Sequence, residues 1–450
     1  MRARFKKFIG SVSDSFWLVP AACVVIGILL ALGLVSLDKS GIVPDWLIKS
    51  EWLYSGGGTG ARTLLGTVAA STIGVAGTVF SITIAALSLA AGQMGPRLLR
   101  NFTRDRGNQL TLGAFLGTFS YALMVLRTVR TLGEGEFTPH ASLSFAVFLA
   151  FLCVGTLVFF VGHMAGRINV NTVIDLVSLE MQATMHTLTA DPTHDPAPPH
   201  GFWHGGLPIR SDQSGYLQQL DAEGLADWAA EHRTALRLLN RVGSYVYPGA
   251  TIAIMTPSAA GAQEAVRNAT ALGPSQTASS NPEFTVAQLV EVAVRALSPG
   301  INDPNTAMAV LDRLGAELCE LAPRQLPSGV FMRQGQVALV VPVMDYELLT
   351  EAMFGLVRQN ATGSAAVLKH LLEVLIAVAG CERDHGRAAA LRRHAYLAVA
   401  DAERSVGNAD DLAEIRQAFD RFELMRHEGA LAVFRASEIS RIARLNLGQS

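Results

Sequence analysis

Long uncharged stretches alternate with short charged ones through the first third of the chain, and then stop. No Asp, Glu, Lys or Arg occurs at 15–37, 63–96, 107–126 or 137–166. Each run reaches the roughly 20 residues that a helix needs to cross a bilayer core. The pattern predicts four transmembrane helices near 15–37, 63–93, 108–128 and 141–165. Arg2, Arg4, Lys6 and Lys7 precede the first run, as in a signal peptide. Its uncharged stretch is too long for a signal core and three more spans follow, so it reads as a retained anchor.

The loops set an orientation, because Lys and Arg concentrate on the cytoplasmic side. Four basic residues precede span one, and Arg97, Arg100, Arg104 and Arg106 against Asp105 alone separate spans two and three. The intervening loops differ: one offsets Lys39 and Lys49 with Asp38, Asp45 and Glu51, and the other, at 131–140, holds Glu134 and Glu136 with no Lys or Arg. This alternation predicts a protein with both termini in the cytosol.

Span two stands apart. Its uncharged run would measure about 51 Å as a helix, against a core of about 30 Å. Gly66, Ala70, Gly74 and Thr78 recur every four residues and so share a face, the small-xxx-small spacing of close helix contact. Ser71, Ser81, Thr83 and Ser88 add hydroxyls. Two readings follow. One is a tightly packed central helix whose hydroxyls bond back to its own backbone. The other is a pathway-lining helix, with Gly66, Ala70, Gly74, Thr78 and Ser81 leaving room for water and Arg97, Arg100 and Arg104 ringing the cytosolic mouth. Four helices of one copy do not enclose a pore, so the second reading requires a homo-oligomer.

Beyond Arg167 the periodicities shorten and mix. Residues 167–205 read as a helical extension followed by the Pro-, Gly- and His-rich break "DPTHDPAPPHGFWHGGLP". Residues 206–275 read as a small β-containing unit: "SGYLQQLD" is a strand ending at Asp221, an N-cap for "AEGLADWAAEH", and two strands follow. Residues 276–450 are mainly helical, interrupted by the hairpin "PSGVFMRQGQVALVVP" with its turn at Gln334–Gly335, after which Asp345 caps "YELLTEAMFGLVRQN". "LLEVLIAVAG" is too short to span a membrane and reads as a core helix. The fold class is thus an α-helical membrane domain over 1–166, followed by a cytosolic α+β domain that is mostly helical.

Composition agrees with a mixed chain. Half the residues are hydrophobic and 16% are charged, where soluble domains average about 25% charge. The net charge of −2 gives no support for nucleic acid as a partner. The lipid bilayer and further copies of the chain are the partners expected. Cys23, Cys153, Cys319 and Cys381 form no CxxC pair, and His194, His200 and His204 have no ligand spacing, so neither a metal nor a cofactor is expected. No P-loop, GxGxxG after a strand, HExxH or GxSxG occurs, and "CERDHGR" reads as a polar loop between helices. Nothing here argues for an enzyme.

"GTVFSITIAALSLAAGQMGPRLLRNFTRDR", "LGAFLGTFSYALMVL", "SGYLQQLD" and above all "RALSPGINDPNTA" resemble a family of bacterial predicted membrane proteins whose domain has no assigned function. The resemblance covers nearly the whole chain. Gly95 stands where such proteins commonly have Ser before the Pro-Arg pair. The resemblance implies a bacterial inner-membrane protein and brings no reaction, ligand or catalytic residue.

The segment "SPGINDP" lies between two helical patterns. Ser298, Pro299 and Gly300 end the first, while Asp303 is an N-cap and Pro304 a first-turn residue of the second. That makes a corner. The polar excess of Asn302, Asp303, Asn305 and Thr306, with Arg295 close enough to pair with Asp303, would also suit a head group, a cation or a subunit contact. Two functions stay open: an oligomeric channel or transporter, and a non-conducting membrane-anchored sensor or scaffold.

Overall fold

Four helices form where charge is missing: α1 (Leu18–Lys39), α2 (Gly58–Met94), α3 (Arg106–Leu126) and α4 (His140–Arg167). The computed structural model describes residues 16–40, 57–95, 105–130, 137–167, 169–189, 195–276, 282–436 and 438. All four helices are long and apolar enough to cross a bilayer. Their outer faces expose Leu29, Phe151 and Val158, side chains at home in hydrocarbon and costly in water. The chain divides into this membrane unit and a C-terminal unit that begins at Val170.

Within the membrane unit α1 and α3 meet backbone to backbone. A Cβ on Gly113 would stand 2.7 Å from the Cys23 sulfur, and one on Gly117 would stand 2.9 Å from the Cys23 carbonyl oxygen. A Cβ on Gly27 would collide with the Gly117 carbonyl. Gly113 and Gly117 are a Gly-xxx-Gly pair, which permits this approach.

Polar groups fasten both ends of α4. Asp38, from α1, accepts hydrogen bonds from the amides of Ala141 (3.1 Å) and Ser142 (3.0 Å) and from the Ser142 hydroxyl (2.6 Å). Its carboxylate sits where α4 presents unpaired N–H groups and the positive end of its dipole. The buried Tyr121 hydroxyl donates to the Ser142 carbonyl (2.8 Å). At the opposite end, Asp105 caps α3 by accepting from the Gly107 amide (2.7 Å), and His163 Nε2 of α4 lies 2.9 Å from the same carboxylate.

The C-terminal unit opens with α5 (Val170–Thr189). Past it, in the span read as a linker, Asp195 accepts from the Met332 amide (3.0 Å). Strands β1 (Leu207–Arg210), β2 (Gly215–Leu220), β3 (Ala235–Leu238), β4 (Tyr245–Val246), β5 (Thr251–Thr256) and β6 (Thr270–Gly273) come from the small β region. Helix α6 (Ala222–Glu231) follows β2, with Asp221 as its N-cap, and α7 (Ala262–Ala269) precedes β6. The hairpin β7 (Val330–Arg333) and β8 (Gln336–Val340) does not stay with the helices around it. It completes a five-stranded sheet in the order β1-β5-β3-β8-β7, beside a three-stranded sheet β4-β2-β6. β3 and β8 pair in parallel, with Leu236 opposite Leu339. Leu225, Ala226 and Ala229 of α6 cover Leu236, Leu238, Ala253 and Leu339.

The helical array comprises α8 (Pro282–Ala296), α9 (Pro304–Leu321), α10 (Tyr346–Thr350), a π-helical turn (Glu351–Gly355), α11 (Leu356–Asn360), α12 (Ala365–Cys381), α13 (His385–Ser405) and α14 (Ala409–Glu428). Leu371, Leu375 and Val378 of α12 are buried, as are Leu311, Leu314 and Leu318 of α9. A fully buried Leu contributes about 1.5–3 kcal/mol relative to exposure, so this helix pair holds much of the unit together.

Candidate functional site

Helix α2 carries two faces of different character. Ala61, Leu65, Val68, Ala69, Thr72, Ala76, Val79 and Ala86 recur at helical spacing and are buried. Those up to Ala69 join a core with Tyr121, Val125 and Leu143, and Ala76, Val79 and Ala86 join one with Phe115 and Phe160. The small residues point the other way. At 100° per residue, Ala70, Gly74, Gly77 and Ser81 lie roughly opposite the buried stripe. Gly66 is half-buried, and Ala70, Gly74, Thr78 and Ser81 are exposed. Nothing lies within 4 Å of a Cβ built on Gly66, Gly74 or Gly77.

The hydroxyls of this face are satisfied within the helix. Thr78 donates to the Gly74 carbonyl (3.2 Å), Ser81 to Gly77 (2.9 Å) and Thr67 to Thr63 (2.8 Å). A hydroxyl whose proton is given to its own backbone keeps oxygen lone pairs outward and no donor in need of a partner. The packed-helix reading therefore holds for the hydroxyls, while within one copy the packed face is the apolar stripe. Arg97, Arg100 and Arg104 lie outside the described residues.

At the corner, 298–306, the side chains of Ser298, Asp303 and Thr306 bond locally, while Asn302 and Asn305 are exposed. The Ser298 hydroxyl donates to the Arg295 carbonyl (2.6 Å), its carbonyl accepts from the amides of Ile301 (3.1 Å) and Asn302 (2.9 Å), and the Asp303 amide reaches Ala296 (2.8 Å). Asn302 takes the left-handed conformation at φ 49°, while Pro299 and Gly300 sit exposed beside it. Asp303 caps α9: the Thr306 amide (3.2 Å) and hydroxyl (2.6 Å) occupy its two oxygens. The Thr306 hydroxyl, more than any other group, holds this carboxyl below the usual range. Arg295 pairs with Glu291 (3.6 Å), not with Asp303. Four residues back on the same helix is nearer than across the bend.

Three arrangements escaped the sequence reading. The Asp105–His163 pair joins residues that are distant in the chain; its one signal was a lone acid in a basic loop. Arg387, inside "CERDHGR", donates to the carbonyls of Arg324 (2.8 Å) and Ala322 (3.4 Å), just past the end of α9, and lies 5.1 Å from the Tyr346 ring. Cations suit helix C-termini. Third, the π-helical turn meets α13 at a buried polar cluster. Arg358 pairs with Asp401, and His394, 1% exposed, finds a hydrogen-bond partner for neither ring nitrogen. Burial drives the His394 pKa down to about 4, against the nearby Glu351 carboxylate at 3.9 Å. Glu317 is pushed the other way, up to about 7, by burial and by Glu320.

The family model described as "Predicted membrane protein (DUF2254)" matches residues 13–377. The uncharacterized proteins Rv1290c of Mycobacterium tuberculosis (strain ATCC 25618 / H37Rv) and Mb1321c of Mycobacterium bovis (strain ATCC BAA-935 / AF2122/97) are each 32% identical to the chain, over 96% of it and 85% of the relative. No solved structure matches. With four apolar helices where the family model begins, and similarity along almost its entire length, the chain belongs to the DUF2254 family of predicted membrane proteins.

Proposed function

We propose that this membrane protein is a homo-oligomeric channel or transporter of the bacterial inner membrane, in which α2 helices from several copies surround a shared pathway. The observation that carries the reading is the small-residue face of α2, which is exposed opposite the face that packs. Side chains this small let helices of neighbouring copies approach or leave room for water. The outward lone pairs of Thr78 and Ser81 would line that space, and no charged side chain occurs between Thr63 and Pro96. The basic loop with Arg97, Arg100 and Arg104 would form the cytosolic mouth, attracting anions and repelling cations. In this reading both termini face the cytosol and the protein performs no covalent chemistry.

A second reading, a membrane-anchored sensor that conducts nothing, draws support from the C-terminal unit, which has its own sheets and buried helical core. One experiment separates them. Protein reconstituted in liposomes is assayed for chloride and potassium flux while its mass is measured in mild detergent. Flux from an oligomer, abolished by Gly74→Leu, supports the channel; a monomer with silent liposomes overturns it and leaves the sensor.

A further inference from the structure

Helices α13 and α14 flank an open cleft of about 460 Å³, within the 300–1,000 Å³ typical of small-molecule sites. Its wall is Ala389, Arg392, Arg393 and Tyr396 from α13 and Phe419 and Arg426 from α14. The positions 389, 392, 393 and 396 share one helical face, as do 419 and 426. All six of these residues lie past 377, where the family model ends.

Among the described residues, the wall holds three guanidinium groups and no carboxylate. The balancing acids stand outside that lining. Arg392 Nε lies 2.7 Å and Arg426 3.3 Å from one shared carboxylate, that of Glu423. Arg393 reaches Glu347 (3.4 Å) and Glu351 (3.3 Å). The Arg426 Nε is buried and has no hydrogen-bond partner. The same guanidinium also meets His427 Nε2 (3.1 Å), and a phosphate in the cleft would gain charge-assisted bonds to the clustered guanidinium groups of its wall. Tyr396, 65% exposed, and Phe419 supply two aromatic rings from the two facing helices. Phe419 is half-buried and stacks on Phe422 (6.4 Å between ring centroids), while the exposed Tyr396 ring beside planar cations is suited to stacking a flat ring.

We propose that this cleft binds a nucleotide: phosphate on Arg392 and Arg426, base against Tyr396 and Phe419. Arginine forks recognise phosphate in two-point contact, and the aromatic rings select ligands that carry a base over bare anions. The site belongs to the C-terminal unit alone and stands whether or not the membrane unit conducts.

The test uses the full-length protein in detergent micelles, with ATP, adenosine and tripolyphosphate as separate probes in titration calorimetry. ATP is expected to bind saturably, with each fragment at least about tenfold weaker, because each lacks half the contacts. Tyr396→Leu, an exposed position that leaves folding alone, weakens ATP and leaves tripolyphosphate unchanged. Arg392→Gln weakens ATP and tripolyphosphate alike, at least about tenfold for a lost charged bond. No saturable ATP binding overturns the proposal. So does tripolyphosphate binding as tightly as ATP, which would reveal a bare anion patch, or ATP binding that neither substitution alters in protein of unchanged melting temperature.

Discussion

Two helices of the membrane unit carry small residues at four-residue spacing, with opposite fates. On α3, Gly113 and Gly117 are filled by α1, close enough that a side chain at Gly117 would strike backbone. On α2, Gly66, Gly74 and Gly77 face open space. The same spacing thus marks close approach without naming the partner. Inside one copy the approach is already complete at α3, while the glycines of α2 have no described residue of their own chain against them.

The sharpest way to break this comparison is to fill each stripe. Gly117→Leu forces a side chain into the Cys23 carbonyl and should destabilise the membrane unit by about 3 kcal/mol or more, the upper range for overpacking. A melting temperature unchanged from wild type would contradict the close α1–α3 contact. The Asp38 clip beside that contact comes next. Asp38→Ala removes three hydrogen bonds to the start of α4 and should cost about 2 kcal/mol. Its measure is the denaturation midpoint in detergent; Asp38→Asn, which keeps an acceptor, should recover part of the loss.

A contrast of pH dependence follows in the C-terminal unit. His394, held neutral with a pKa near 4 against an ordinary 6.5, contributes stability above 6.5 that is lost as pH falls toward 4. Glu317, held protonated up to about 7 against an ordinary 4.5, contributes stability below 4.5 that is lost as pH rises toward 7. Between 4.5 and 6.5 the two slopes oppose each other, and their joint contribution is nearly flat. Glu317→Gln removes one slope, so stability should then fall by about 2 kcal/mol from pH 6.5 to pH 4.5. A variant as flat as wild type in pH-stepped thermal melts would refute the opposition.

The local cap is the counterpart of the long-range clip. Asp303→Ala loses bonds only to its own helix and should cost about 1 kcal/mol. A loss of function with stability intact would instead restore a binding role to the corner.

What was legible in the chain follows from these cases. The four spans, the caps Asp221, Asp303 and Asp345, and the turn at Gln334–Gly335, both at positive φ, are written in a few neighbouring residues, because charge gaps, caps and turns are local effects. The parallel pairing of β3 with β8 joins Leu236 to Leu339, and no local period carries that information. Gly113 and Gly117 stand in the sequence as a Gly-xxx-Gly pair, but that spacing does not say that α1 is the helix that fills it. At the corner the left-handed step falls on Asn302, although the glycine that takes such a conformation most readily stands two residues earlier at Gly300. Arg387, the Asp105–His163 pair and the Arg392–Arg426 cleft are assembled from separate helices and appear only in three dimensions.

The smallest perturbation addresses the central claim that the open face of α2 meets another copy of the chain. In a background with all four native cysteines replaced, Ala70→Cys places a thiol on the open face and Val68→Cys places one on the packed stripe. Mild oxidation in native membranes, followed by non-reducing electrophoresis, reads the outcome. The account predicts a disulfide-linked dimer of the Ala70→Cys protein and a monomer for Val68→Cys; monomers for both, or dimers for both, would contradict it.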